Sequence, residues 1–144
     1  MTTKKTTIKQ EIYFDADPDE VYETLVNEKK HSEITGAAAA GTSKEGGEFS
    51  AWDGYIHGRN LKLVKGKKIV QEWATADWPA NAGPSRLTLT MKRKNGGTLL
   101  KMIHAKVPAD QAGLYDEGWK DNYWELMKQH FQTKKTAQMK PQPL

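Results

Sequence analysis

The spacing of apolar residues predicts an α+β chain: a curved antiparallel sheet of about six or seven strands wrapped around a long C-terminal helix, with two short helices after the first strand. Three observations carry this reading. Residues 37 to 107 follow a period of two, broken by glycine turns; residues 115 to 131 follow a helical period; and a helix start signal follows the leading strand. The 144 residues fit one domain. We place it at residues 6–133, between a flexible start (1–5) and a disordered basic tail (134–144).

The leading strand alternates Ile8, Gln10, Ile12 and Phe14 with Lys9, Glu11 and Tyr13. Asp17-Pro18-Asp19-Glu20 then starts a helix, with Asp17 as cap, Pro18 in the first position and Glu20 completing a capping box. Val21, Tyr22, Leu25 and Val26 give that helix its buried stripe, and a second short helix, about Glu28 to Ile34, stops at Gly36. Gly46-Gly47, Asp53-Gly54, Lys65-Gly66-Lys67 and Asn95-Gly96-Gly97 mark hairpin turns. Between them Ile69/Gln71/Trp73, Leu87/Leu89/Met91 and Leu100/Met102/His104 each share a face, as in a meander with one side buried. In the last helix Tyr115, Trp119, Tyr123, Leu126, Met127, His130 and Phe131 form one broad stripe, with Trp124 at its edge. This arrangement is a helix-grip plan.

Composition removes several classes of function. With no cysteine, disulfides, thiolate nucleophiles and cysteine-ligated zinc are excluded, and the four histidines lack a paired metal-ligand spacing. No apolar run approaches the roughly 20 residues of a membrane span, and the start lacks a signal-peptide core, so a cytoplasmic setting is expected. The net charge of +4 does not make a nucleic-acid face: Lys4, Lys5, Lys134, Lys135 and Lys140 lie in acid-free ends, and the rest of the chain is slightly acidic. Asp15, Asp17 and Asp19 imitate the opening of a calcium loop, but Glu20 replaces its glycine and Val26 its bidentate acid, so helix capping explains them better. Gly46-Gly47 lacks the Gly-Lys-Ser/Thr of a phosphate loop.

Ala16-Asp17-Pro18, Gly46-Gly47-Glu48-Phe49, Trp52-Asp53-Gly54, Lys68-Ile69-Val70-Gln71-Glu72-Trp73, Trp78-Pro79, Leu87-Thr88-Leu89-Thr90, Val107-Pro108 and Gly118-Trp119 with Tyr123 occur in a telling order and spacing. Across about Ile8 to Phe131 the chain resembles the C-terminal domain of the activator of heat-shock-protein-90 ATPase and its small single-domain homologues, in the START-like, birch-pollen-allergen-like superfamily. The resemblance implies a helix-grip fold and a chaperone connection. Eukaryotic members add an N-terminal domain that stimulates the ATPase, and nothing in this sequence corresponds to it. The expectation is therefore that "ATPase activator" describes ancestry better than activity.

Successive turns of a meander alternate between its two ends, so the Asp53-Gly54 turn, the Asp77–Pro84 loop and the start of the long helix should share one end. A pocket mouth is expected there, at Trp52, Tyr55, Trp78, Pro79, Leu114 and Tyr115. Its walls would be Phe49, Ile56, Trp73, Leu87, Leu89, Met91, Met102, His104, Trp119, Tyr123 and Leu126, unless these simply fill the core. His104 and His130 both point inward in this reading, and no serine or carboxylate can be placed beside either. Lys65, Lys67, Lys68, Lys92, Arg93 and Lys94 would form a basic rim at the other pole. The function expected is a non-enzymatic binding module holding a small hydrophobic ligand between sheet and helix, with no cofactor and no metal. The alternatives are a chaperone-associated interaction module and a cyclase- or hydrolase-like enzyme using His104 or His130 as base.

Overall fold

The structure, a computed structural model, describes residues 4–41 and 43–139. The elements are β1 (Lys5–Phe14), α1 (Pro18–Val26), α2 (Glu28–Thr35), β2 (Ala40–Gly41), β3 (Glu48–Ala51), β4 (Ile56–Val64), β5 (Lys68–Thr75), β6 (Ser85–Lys94) and β7 (Gly97–Pro108). A helical rod follows, made of α3 (Ala112–Trp119), a π-helical stretch (Lys120–Trp124) and α4 (Glu125–Met139). The strands form one antiparallel sheet in the order β1-β7-β6-β5-β4-β3-β2, so the chain's first strand closes against its last. Ile8, Phe14, Ile69, Trp73, Leu87, Leu89, Met91, Leu100 and Met102 all face the rod and are buried, in the alternation that the sequence sets.

The two ends of the sheet are as hairpin parity requires. At one end the Ala76 N–H donates to Tyr55 O (2.9 Å), the Tyr55 hydroxyl to Asp77 Oδ2 (2.8 Å), and Gln111 Nε2, just before α3, to Asp77 O (2.8 Å). At the other the Met91 N–H donates to Lys67 O (2.9 Å). Gly36 ends α2 with φ 75°, the left-handed conformation that glycine adopts without a Cβ penalty.

Four local readings need correction. Asp17 and Pro18 do start α1, but the capping box does not form: the Asp17 carboxylate takes the Arg93 guanidinium at 2.9 Å, and Glu20 takes Lys134. Lys5 belongs to β1 rather than to a loose start, opposite Pro108. The last helix continues through Lys134 to Met139, so most of the expected tail is helical; residues 140–144 lie outside the described residues.

The fourth correction concerns the helix stripe. In the π-helical stretch the Glu125 N–H bonds to Lys120 O, five residues back, which inserts one residue into the turn. Everything beyond is rotated by about 100° relative to an unbroken α-helix. Residues five apart now stand over one another, and Trp119 and Trp124 stack at 5.2 Å and 17°. Trp124 is therefore fully buried, with Met127 and Phe131 behind it, whereas Leu126 is half-buried outside the core cluster and His130 is exposed. Trp124 Nε1 also donates to Gln10 Oε1 at 2.6 Å, which ties the rod to β1.

This register predicts unequal costs for adjacent truncations. Trp124→Ala should destabilise the domain by about 3–5 kcal/mol and Leu126→Ala by about 1 kcal/mol or less, measured by urea unfolding. The reverse order would restore the unbroken α-helical register.

Candidate functional site

His104 has no exposure and uses both ring nitrogens. Trp119 Nε1 can only donate, and it points at His104 Nδ1 (3.1 Å), so Nδ1 carries no proton. Nε2 therefore holds the hydrogen and gives it to Ser85 Oγ (2.7 Å), whose own hydroxyl donates to the Trp73 carbonyl (2.8 Å). Sequence reasoning found no serine for His104; β6–β7 pairing supplies one, because Leu87 sits opposite His104 and Ser85 lies two residues along the same face. This pair is not wired as base and nucleophile, since the imidazole donates to the serine. Burial pushes the His104 pKa down to about 3, so the ring is a neutral hydrogen-bonding spacer.

A second chain runs from α2 to the mouth. His31 Nδ1 meets the Leu25 carbonyl (3.0 Å) and must donate, which leaves Nε2 to accept from the Tyr123 hydroxyl (2.9 Å). The Trp52 indole bonds the same Tyr123 hydroxyl, and its ring packs edge-on against Tyr123 at 6.3 Å. Burial raises the Tyr123 pKa and lowers that of His31, the latter partly opposed by the Leu25 bond. Sequence reasoning missed His31; a lone histidine on a weakly amphipathic helix gives no sign of its partner 92 positions away.

The space between sheet and rod is small. A cavity of about 40 Å³ remains, lined by Phe49, Ile56, Trp73, Leu87, Leu89, Trp119 and Tyr123 from the expected walls, with the Gln71–Asn60 amide pair and His31 at its margins. Small-molecule pockets run to roughly 300–1,000 Å³. Met91, Met102 and His104 do not line it and are buried packing, and half-buried Leu126 lies away from it.

A roomier space than this cavity is an open groove of about 500 Å³ at the expected mouth. Trp52, Tyr55, Leu114 and Tyr115 line it with Ile56, Trp73, Gly118, Trp119 and Tyr123, the four residues Ile56, Trp73, Trp119 and Tyr123 being shared with the buried cavity. Trp78 faces a different surface depression beside His57 and Arg59, though its ring also packs on Tyr115 (5.7 Å); half-buried Pro79 lines neither space. Trp52 and Asp53 both have left-handed backbones (φ 52° and 58°). The turn is held by Asp53, whose N–H donates to Ala38 O and whose carboxylate accepts the Ala38 N–H, both at 2.9 Å. Tyr115 donates to Gln111 Oε1 (2.8 Å) and shares a 2.7 Å bond with Thr75 Oγ1; burial lifts its pKa to about 12. Leu114 is 62% exposed at the rim.

His130, exposed beside Phe131, cannot serve the interior. The basic residues 65–68 and 92–94 do gather at the far pole, where Arg93 is engaged by Asp17. Among the described residues no helix is long and apolar enough to cross a membrane.

The tautomers and their pH consequence are measurable. Long-range ¹H–¹⁵N spectra should show His104 as the Nε2–H form and His31 as the Nδ1–H form. Unfolded histidine gains a proton below about 6.5, whereas folded His104 stays neutral to about 3. The stability it provides is therefore whole above pH 6.5 and is lost as pH falls towards 3, at up to about 1.4 kcal/mol per unit. Urea unfolding between pH 7 and 4.5 should lose that slope in His104→Gln; an unchanged slope would contradict the assignment.

Residues 15–132 match the family model described as "Activator of Hsp90 ATPase homolog 1-like protein". The chain is 32% identical over 131 residues to an activator of 90 kDa heat shock protein ATPase homolog of Dictyostelium discoideum, covering 90% of this chain and 33% of that protein. It is 33% identical over 129 residues to homolog 1 of Homo sapiens, covering 90% and 37%. It thus spans about a third of the length of these relatives. Among solved structures, an HSP90 activator from Plasmodium falciparum superposes with a TM-score of 0.72 at 24% identity over 94% of this chain and 95% of that one. Ara h 8.0201 does so at 0.72 with 8% identity over 90% and 99%, a likeness of fold alone. With the match spanning the sheet and the rod together, the chain belongs to the activator of Hsp90 ATPase homolog 1-like family, on a START-like helix-grip fold.

Proposed function

We propose that this domain is a non-enzymatic, cytoplasmic binding module that seats a small hydrophobic ligand in the aromatic groove at the mouth, with only its tip directed towards the space between sheet and rod. One observation carries the proposal: Trp52, Tyr55, Leu114 and Tyr115 line an open groove of about 500 Å³ that meets the small buried cavity at Trp73, Trp119 and Tyr123. Aromatic walls with a few polar edges suit such a ligand. The absence of enzymatic turnover is part of the proposal, supported by a His104–Ser85 pair whose hydrogen bonds run the wrong way for base catalysis.

Gly118 supplies a clean test. A Cβ there would meet only Asn122 Nδ2 at 3.7 Å, so a side chain can start from this backbone towards the groove that Gly118 lines. Gly118→Leu should keep or slightly raise the melting midpoint, since leucine is up to about 1 kcal/mol better than glycine within a helix. It should also abolish any midpoint increase that a panel of lipids and apolar metabolites gives with the unaltered protein. No midpoint increase with any ligand, or one that survives Gly118→Leu, would overturn the groove as the seat.

The names of the relatives favour a second reading, association with a 90 kDa heat-shock chaperone. The basic pole is the surface that would meet an acidic partner. In a pull-down with purified chaperone, changing Lys92, Arg93 and Lys94 together to Glu should remove most binding, and moderate salt should do the same. Binding indifferent to both, or none with the unaltered chain, would dismiss this surface.

A further inference from the structure

The groove has a sign as well as a shape. Its aromatic wall is Trp52, Tyr55, Tyr115 and Trp119, and its rim on the rod side carries two carboxylates, Glu117 and Asp121, one helical turn apart. Both are exposed, and neither makes an ion pair among the described residues, whereas Asp116 on the neighbouring face is held by Lys120. No lysine or arginine lines the groove. At the opposite pole of the sheet stand Lys65, Lys67, Lys68, Lys92, Arg93 and Lys94, so cations collect away from the groove. Indole and phenol faces attract a cation through their quadrupoles, and an adjacent carboxylate adds to that attraction. An anionic head would meet Glu117 and Asp121 with no compensating base.

From this we infer that the groove selects an organic ammonium: an apolar body against the aromatic wall and a cationic nitrogen at the Glu117–Asp121 rim. The inference rests on the groove being the binding seat and adds the charge of the ligand to it. A lone surface ion pair or an exposed cation–aromatic contact is weak, so the selectivity expected is roughly threefold to tenfold rather than absolute.

Three probes of one shape test it: 4-phenylbutylammonium, 4-phenylbutanol and 4-phenylbutyrate, titrated into the full chain at low salt and followed by tryptophan fluorescence and by the indole N–H signals of Trp52 and Trp119. The ammonium should bind roughly threefold to tenfold more tightly than the alcohol and the butyrate most weakly, an order that 0.5 M salt should compress. In the double variant Glu117→Gln/Asp121→Asn the ratio of ammonium to alcohol affinity should fall to near one. Equal binding of all three probes, tighter butyrate, or a ratio unmoved in the double variant would overturn the charge selection while leaving the groove as a seat. Failure of all three to bind would overturn the seat itself, and the inference with it.

Discussion

A buried run of hydrogen bonds fastens the middle of the rod to the sheet: Trp119 to His104, His104 to Ser85, Ser85 to the Trp73 carbonyl. It joins the helix to β7, β6 and β5 in sequence, and each of its members has a single possible direction of donation. A polar chain in an apolar core is stable only when complete, because any orphaned group bears the full cost of desolvation. Here no buried side-chain nitrogen or oxygen among the described residues lacks a partner. That completeness sets the height and rotation of Trp119, and through it the back wall shared by cavity and groove.

The π-helical stretch is the other half of the fastening. An unbroken α-helix would place Trp119 and Trp124 about 140° apart, so only one of them could meet the sheet. The inserted residue lets Trp119 serve the His104 chain while Trp124 covers Phe14 (6.1 Å) and bonds Gln10. Such insertions recur at functional sites in helices, and three residues of this one, Asp121, Asn122 and Tyr123, line the groove.

The sheet was legible because its inward positions obey strict alternation: Leu87, Leu89 and Met91 face the rod as their spacing requires. Turn parity likewise places the Asp53-Gly54 turn, the Asp77–Pro84 loop and the start of the rod at one end, where Tyr55 bonds Asp77 and Gln111 bonds the Asp77 carbonyl. The rod was legible as a helix, and Tyr115, Trp119, Tyr123, Met127 and Phe131 are buried as their spacing predicts; Leu126 and His130 are not, and Trp124 is, because a one-residue insertion has no signature in composition. The position of the expected mouth was legible in outline. Four of six mouth residues line the groove, yet the near-filling of the interior depends on how side chains of known type interlock, which spacing does not encode. The tautomers of His31 and His104 could not be read at all, since each is dictated by donors remote in sequence.

Trp52 and Asp53 hold backbone angles that non-glycine residues adopt only at a cost, commonly about 1–3 kcal/mol each. The Ala38 clasp and the Tyr123 hydroxyl meet that cost when the chain folds. If the groove takes a ligand as proposed, that ligand would meet an indole already immobilised, and its binding would cost the protein little further freedom. The wall of the groove at this end is thereby shaped during folding, and glycine at Asp53 would loosen it while leaving the Trp52 indole in the chain.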